Sequence, residues 1–152
     1  MKNTIELLTK TDSNYGSIFL RISFAIMMIP HGAGKLFGIF GGFGFDKTMQ
    51  VFTETFGIPW IVALFAFLVE FFSAIFILVG YQTRINAVLL AVVMMVAGFF
   101  HLKHGFYMNW FGQKAGEGFE FHILAVGMML ALVMLGGGRY SLDRKMMKKE
   151  EK

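Results

Sequence analysis

The apolar positions of this chain come in long unbroken runs rather than in alternation or along a single stripe. The clearest run, Ile58 to Val79, has 22 residues, and Glu70 is its only ionisable side chain. A helix needs roughly 20 apolar residues to cross the hydrocarbon of a bilayer, so this run predicts a membrane span. Pro59 opens it at a tolerated first-turn position. Gly80-Tyr81-Gln82-Thr83 predicts a tight turn, which makes the following run, Arg84 to Leu102, an antiparallel neighbour. A further run from Phe119 to Gly137 predicts another span. The first span, Ser17 to Leu36, is the weakest, with thirteen uncharged residues between Arg21 and Lys35. Both side chains are long enough to snorkel to opposite headgroup layers. Pro30 is expected to kink the outer part.

Two connections have a pattern of their own. Gly38 to Gly44 is glycine-rich, and Asp46 after it can cap a short helix ending at Gly57. Phe45, Met49, Phe52 and Phe56 lie along one face of that helix, which suits an interfacial helix or one packed under the bundle. The second connection, His104 to Gly118, carries Phe106, Tyr107, Trp110 and Phe111, an aromatic lid or a membrane-interface belt. The expected fold is all-α: a four-helix transmembrane bundle with a short interfacial helix between spans one and two. It divides into a cytoplasmic N-terminal segment (1–16), a four-span membrane domain (17–138) and a basic cytoplasmic tail (139–152).

Composition agrees with lipid as the solvent. Of 152 residues 56% are hydrophobic and 16% charged, where a soluble domain carries about 25% charged. The absence of cysteine excludes disulfides, thiol redox chemistry and thiolate metal sites in this chain. The net charge of +4 does not point to nucleic acid, because the basic residues collect at Arg144, Lys145, Lys148, Lys149 and Lys152, beside the last span. Such a tail sets topology and meets anionic lipid. Lys2, Lys10, Arg21, Arg84, Arg139 and the tail fall on one side, and Lys35, Lys47, Lys103 and Lys114 on the other. The positive-inside rule then puts both termini in the cytoplasm. Residues 1–14 are mixed polar, and no small-residue cleavage site follows the first apolar stretch, which reads as a retained anchor.

Candidate chemistry gathers at the far side. His31 lies late in span one, His101 and His104 at the outer end of span three, and His122 beside Glu120 just inside span four. At about 1.5 Å per residue, all four histidines come within roughly 10 Å of the outer boundary. His101 and His104 share a helical face and could share a ligand or metal. Glu120 and His122 are two apart and cannot both face the core. Imidazoles on facing helices can hold haem or hydrogen-bond the carbonyls of a quinone, and near helix ends they also bond backbone carbonyls. Burying Glu70 costs on the order of 3 kcal/mol or more unless it finds a partner. Arg21 is one candidate partner, and proton exchange with a bound redox molecule is the other reading. The methionine pairs Met27-Met28, Met94-Met95 and Met128-Met129 read as packing rather than a copper site, since neighbours on a helix point different ways. There is no GxGxxG or GxxxxGK[ST] phosphate loop.

An ordered set of short motifs resembles the DoxX family of small bacterial and archaeal four-helix membrane proteins. The matching pieces are His31-Gly32-x-x-Lys35-Leu36-Phe37-Gly38, Glu70, and Leu78 to Arg84 at the hairpin. Ala97 to His101, Gly118-Phe119-Glu120 and Gly136 to Asp143 complete the set. Relatives often have Gly-Pro-Gly before the final arginine, where this chain has three glycines. The resemblance implies quinone-linked oxidoreductase complexes of the plasma membrane, thiosulfate:quinone oxidoreduction among them, and defence against quinone or oxidative stress. It points to Glu70 as a catalytic carboxyl and to His31, Lys35, Arg84, His101 and Glu120 as ligand-binding residues. His122 joins them from the histidine cluster. The expected ligand is quinone-like, with haem or metal as alternatives. The expected partners are the bilayer, a redox protein and a second copy of the chain. A membrane scaffold or carrier for a small molecule or metal is the non-enzymatic alternative.

Overall fold

The protein, described as a computed structural model, is resolved into placed structure over residues 10–150, with side chains to Lys148. Expectations that rest on Lys2, Lys152 or the Lys149 side chain fall outside the described residues. Among these, there are six helices and no strands. Helix α1 is Gly16–Phe37, α2 is Phe45–Gln50 and runs on through a wide π-type turn, Val51–Thr55, and α3 is Trp60–Val79. Helix α4 is Thr83–His101, extended by a tight turn at Leu102–His104; α5 is Glu120–Leu135 and α6 is Leu142–Glu150.

Three of these, α1, α3 and α4 with its extension, are long and apolar enough to cross a membrane. Helix α5 is shorter than the expected fourth span. Its 16 residues cover about 24 Å against roughly 30 Å of hydrocarbon. It begins at Glu120 rather than Phe119 and is ended by Gly136, whose φ of 71° a side chain would resist. Helix α5 nevertheless returns the chain to the end where α1 starts. There Gly138 N–H donates to Thr11 Oγ1 at 2.7 Å and Arg139 N–H to the Asn14 carbonyl at 3.0 Å. We call this the tail end and the opposite one the loop end.

The core of α1, α3, α4 and α5 is apolar at the tail-side half: Phe24, Met28, Ile77, Leu90, Met129 and Leu132 are fully buried there. Below this plug Arg21 is buried but satisfied. Its guanidinium donates to the carbonyls of Ile77 (2.8 Å), Leu78 (2.7 Å), Gly137 (2.7 Å) and Tyr140 (3.1 Å). These are carbonyls at the end of α3 and in the turn after α5, which lack helical partners. Asp143, buried in the tail, accepts from Gln82 N–H (2.7 Å) and Thr83 N–H (2.9 Å), so it caps α4 from another element. The closing glycine-rich turn and tail are therefore part of the packed fold.

At the loop end the helices are staggered. A Cβ at Gly32 would stand 2.8 Å from the Phe71 Cα, so α1 and α3 touch backbone to backbone there. Gly32 is near the last turn of α1, while Phe71 is midway along α3, so α1 stops well short of the start of α3. The glycine-rich loop folds over the end of α1: Gly44 N–H and Gly38 N–H both donate to the Gly34 carbonyl. Helix α2 fills the step. Its stripe turns inward, with Phe45, Met49 and Phe52 packed against Ala63 and Phe67 of α3. The expected interfacial face is thus spent on the bundle.

Candidate functional site

Glu70 sits in a π-type turn, Val69–Ser73, that interrupts α3. The extra residue in such a turn rotates the side chains that follow and recurs at functional positions. Its side chain is 3% exposed and points into the bundle, where Lys35 Nζ donates to both carboxylate oxygens, at 2.7 and 2.5 Å. The anticipated Arg21–Glu70 pair does not form. Arg21 lies about 16 Å below Gly32 along α1, and all its bonds go to carbonyls. Lys35 reaches Glu70 because it stands one turn beyond Gly32, where the helices touch. The pair is asymmetric: the Lys35 side chain is 27% exposed while Glu70 is hidden behind it.

Lys35 opens onto a cleft of about 450 Å³ between α1, the glycine-rich loop and α2. Pro30, His31, Thr48, Phe40, Phe43 and Phe52 complete most of its wall, and the Lys35 ammonium lies 5.5 Å from the centre of the Phe52 ring. Only His31 and Lys35 among the lining residues are ionisable. Gly34 of α1 and Gly42 of the loop, both in the cleft lining, are in direct backbone contact.

The histidines assemble in a chain across three helices. His31 lies 6.1 Å from the Phe121 ring; Phe121 is 5.5 Å from His122, and His122 stacks on His101 at 4.8 Å. Gly98 makes room for this, since a Cβ there would come within 3.0 Å of His122. His101 Nδ1 is 2.9 Å from the Glu117 carbonyl, which fixes that nitrogen as the donor. The stacked pair leaves no space for a porphyrin between the rings. His104 packs its ring on Gly116, 6.3 Å from His101. Among the described residues no three His, Asp or Glu side chains are placed to hold a metal ion.

The remaining candidates lie elsewhere. Glu120 turns away from the histidines and holds the second connection, accepting from Trp110 Nε1 and Met108 N–H, each at 2.9 Å. That connection is a tied loop, braced also by Glu117 to Asn109 N–H and by Asn109 with Lys114. Trp110 and Phe111 are 77% and 89% exposed, so they stand out from the protein rather than over the cleft. Arg84 is at the tail end, donating to the carbonyls of Lys10 (3.0 Å) and Met134 (3.1 Å). His31, Lys35 and Glu70 are thus together, His101 and His122 adjoin them through Phe121, and Glu120 and Arg84 are separate. Lys35 as the partner of Glu70 was missed by depth counting. Its signal is the Gly32-x-x-Lys35 spacing, a close-packing residue one turn before a cation.

Among curated proteins, the chain is 29% identical over 134 residues to "Inner membrane protein YqjF" of Escherichia coli (strain K12), covering 88% of this chain and 94% of that protein. No solved structure matches it. The family model for DoxX matches residues 16–103, which hold α1, the cleft, the Lys35–Glu70 pair and α4. Since that match takes in more than half of the sequence, the chain belongs to the DoxX family.

Proposed function

We propose that this is a plasma-membrane protein that binds a quinone-like molecule in the loop-end cleft and serves as a membrane subunit of an oxidoreductase system. The observation that carries the reading is the Lys35–Glu70 pair at the base of an aromatic-walled cleft that also presents His31. Lys35 uses two of its three N–H groups on Glu70 and has one left for a ligand oxygen. His31 supplies a second polar group, and Phe40, Phe43 and Phe52 offer faces for a flat ring. Glu70 exchanges protons on behalf of the bound ring, taking one from water and passing it on as a quinone oxygen is reduced. His101 and His122 stand behind His31, beyond the Phe121 ring. The electrons come from a redox partner, since the chain has no cysteine to supply them as thiols.

The alternative, a carrier for a small molecule, needs a path through the molecule. The plug of Phe24, Met28, Ile77, Leu90, Met129 and Leu132, with the Arg21 clasp below it, counts against it. In this reading α5 is a fourth, short crossing, both termini are cytoplasmic, and the cleft faces the extracytoplasmic side. The basic residues of the tail end support that orientation, and the name of the Escherichia coli relative places that protein in the inner membrane.

The test is purification in mild detergent, followed by visible absorption, lipid-extract analysis and titration with a neutral naphthoquinone. A quinone that co-purifies or binds stoichiometrically, and binds at least tenfold more weakly to His31→Ala, is the expected result. No bound quinone and no saturable binding would refute the proposal.

A further inference from the structure

We infer that the cleft takes the anionic form of its ligand by exchange: the anion replaces Glu70 at Lys35, and Glu70 takes up one proton. This rests on the cleft being the ligand site, as proposed above. It adds that occupancy and protonation are one event. The geometry carries the exchange. Glu70 is 3% exposed and holds Lys35 through both oxygens, while Lys35 is 27% exposed and faces the cleft. A ligand therefore meets the ammonium first and the carboxylate only behind it. The pair is neutral as it stands, and an added anion would leave one uncompensated negative charge in a desolvated place, which is costly. Protonating Glu70 removes that charge. Lys35-NH3+ with Glu70-COO−, plus ligand anion and H+, becomes Lys35-NH3+ with ligand anion, plus Glu70-COOH. Charge and protons balance, and the proton comes from water at the mouth of the cleft.

Of the other titratable groups on the elements around Glu70, His31 alone shares the cleft with Lys35, and the Glu70→Gln variant below separates its protonation from that of Glu70. On α1 the charged neighbours are Lys35 itself and His31, while Arg21 is held by four carbonyls at the tail end. Helix α2 turns Thr48 and Phe52 toward the cleft and leaves Asp46 and Lys47 exposed. Helix α4 has no ionisable residue between Arg84 and His101. Helix α5 carries His122, which is packed on Gly98 and His101. The Phe40, Phe43 and Phe52 walls select an anion with an apolar, flat body over a small inorganic one.

The experiment uses the full chain in detergent and two dyes of like shape. One is 2-hydroxy-1,4-naphthoquinone, ionised at neutral pH, and the other is the neutral 2-methoxy-1,4-naphthoquinone. Binding is read by equilibrium dialysis and visible absorption between pH 6 and 8 or so. The anion's affinity is expected to rise about tenfold for each pH unit lowered, the slope for one linked proton, and the neutral dye's to stay flat. Glu70→Gln should abolish the slope and leave the anion bound at the upper end of the range at least as tightly as wild type binds it at the lower end. Lys35→Met should lose the anion and keep the neutral dye. The double variant Lys35→Met/Glu70→Gln, which carries neither charge, guards against misfolding and should bind only the neutral dye. Flat anion binding in the wild type, or a slope that survives in Glu70→Gln, overturns the exchange while leaving the cleft as a quinone site. Binding of neither dye overturns both.

Discussion

Gly32 decides whether Lys35 and Glu70 can meet, although it carries no functional group. With the Phe71 Cα 2.8 Å from where its Cβ would be, even one methyl forces two backbones apart, and no side chain can rotate to absorb it. Gly32→Ala should therefore lower stability by about 1–3 kcal/mol, the range for overpacking a tight interior. Gly127→Ala is the matched control. It lies in the interior of α5 with nothing within 4 Å of the new methyl, so it should leave stability unchanged or raise it by up to about 1 kcal/mol. Melting of both variants in the same detergent, followed by loss of helical signal, separates them. Equal melting points would mean that the α1–α3 contact is looser than described.

At the scale of elements, the spans were legible in the chain because apolar runs are long and the turn at Gly80 to Thr83 is short. The predicted helix limits fall within two residues of those found. What depth counting could not give was the stagger. Lys35 was placed at a headgroup layer because it lies near the end of α1. In the structure that end is sunk beside the middle of α3 and roofed by α2. The π-type turn at Glu70 and the inward stripe of α2 are likewise features that no single apolar run reveals. The one-sided histidines were legible, since three helices deliver them to one end, but their link through Phe121 was not. Nor was the tail's role: its acidic residue Asp143 reads as an ordinary charge in a basic segment, yet it caps α4. Gln82, with φ 43°, is held in a left-handed conformation as part of this junction. Asp143→Ala should cost about 1–2 kcal/mol, as loss of a helix cap does. Asp143→Asn, which keeps one acceptor oxygen, should cost less. Melting curves order the three proteins, and faster amide exchange at Gln82 and Thr83 would localise the loss to the start of α4.

For the molecule as a whole, an apolar plug divides two buried polar groups, and the cleft beside Lys35 opens on the loop side, which gives the molecule a direction. Lys35, Glu70 and Ser73 lie above the apolar plug; Arg21, Thr83 and Asp143 lie below it. A water-borne reagent should thus reach the Glu70 level from the loop side alone. The sequence contains no cysteine, so single cysteines can be introduced without background. Phe111→Cys and Lys145→Cys, both exposed, mark the loop and tail faces. Thr48→Cys sits in the cleft wall and Ser73→Cys one turn beyond Glu70 toward the plug. With a small charged thiosulfonate applied to one face of oriented proteoliposomes at a time, Thr48→Cys should react whenever Phe111→Cys does. Ser73→Cys should react more slowly, but from the same face. Neither should react when only Lys145→Cys does. Modification of Ser73→Cys from the tail face would mean that the plug opens, and the molecule would then have to be a passage rather than a closed-bottom binding site.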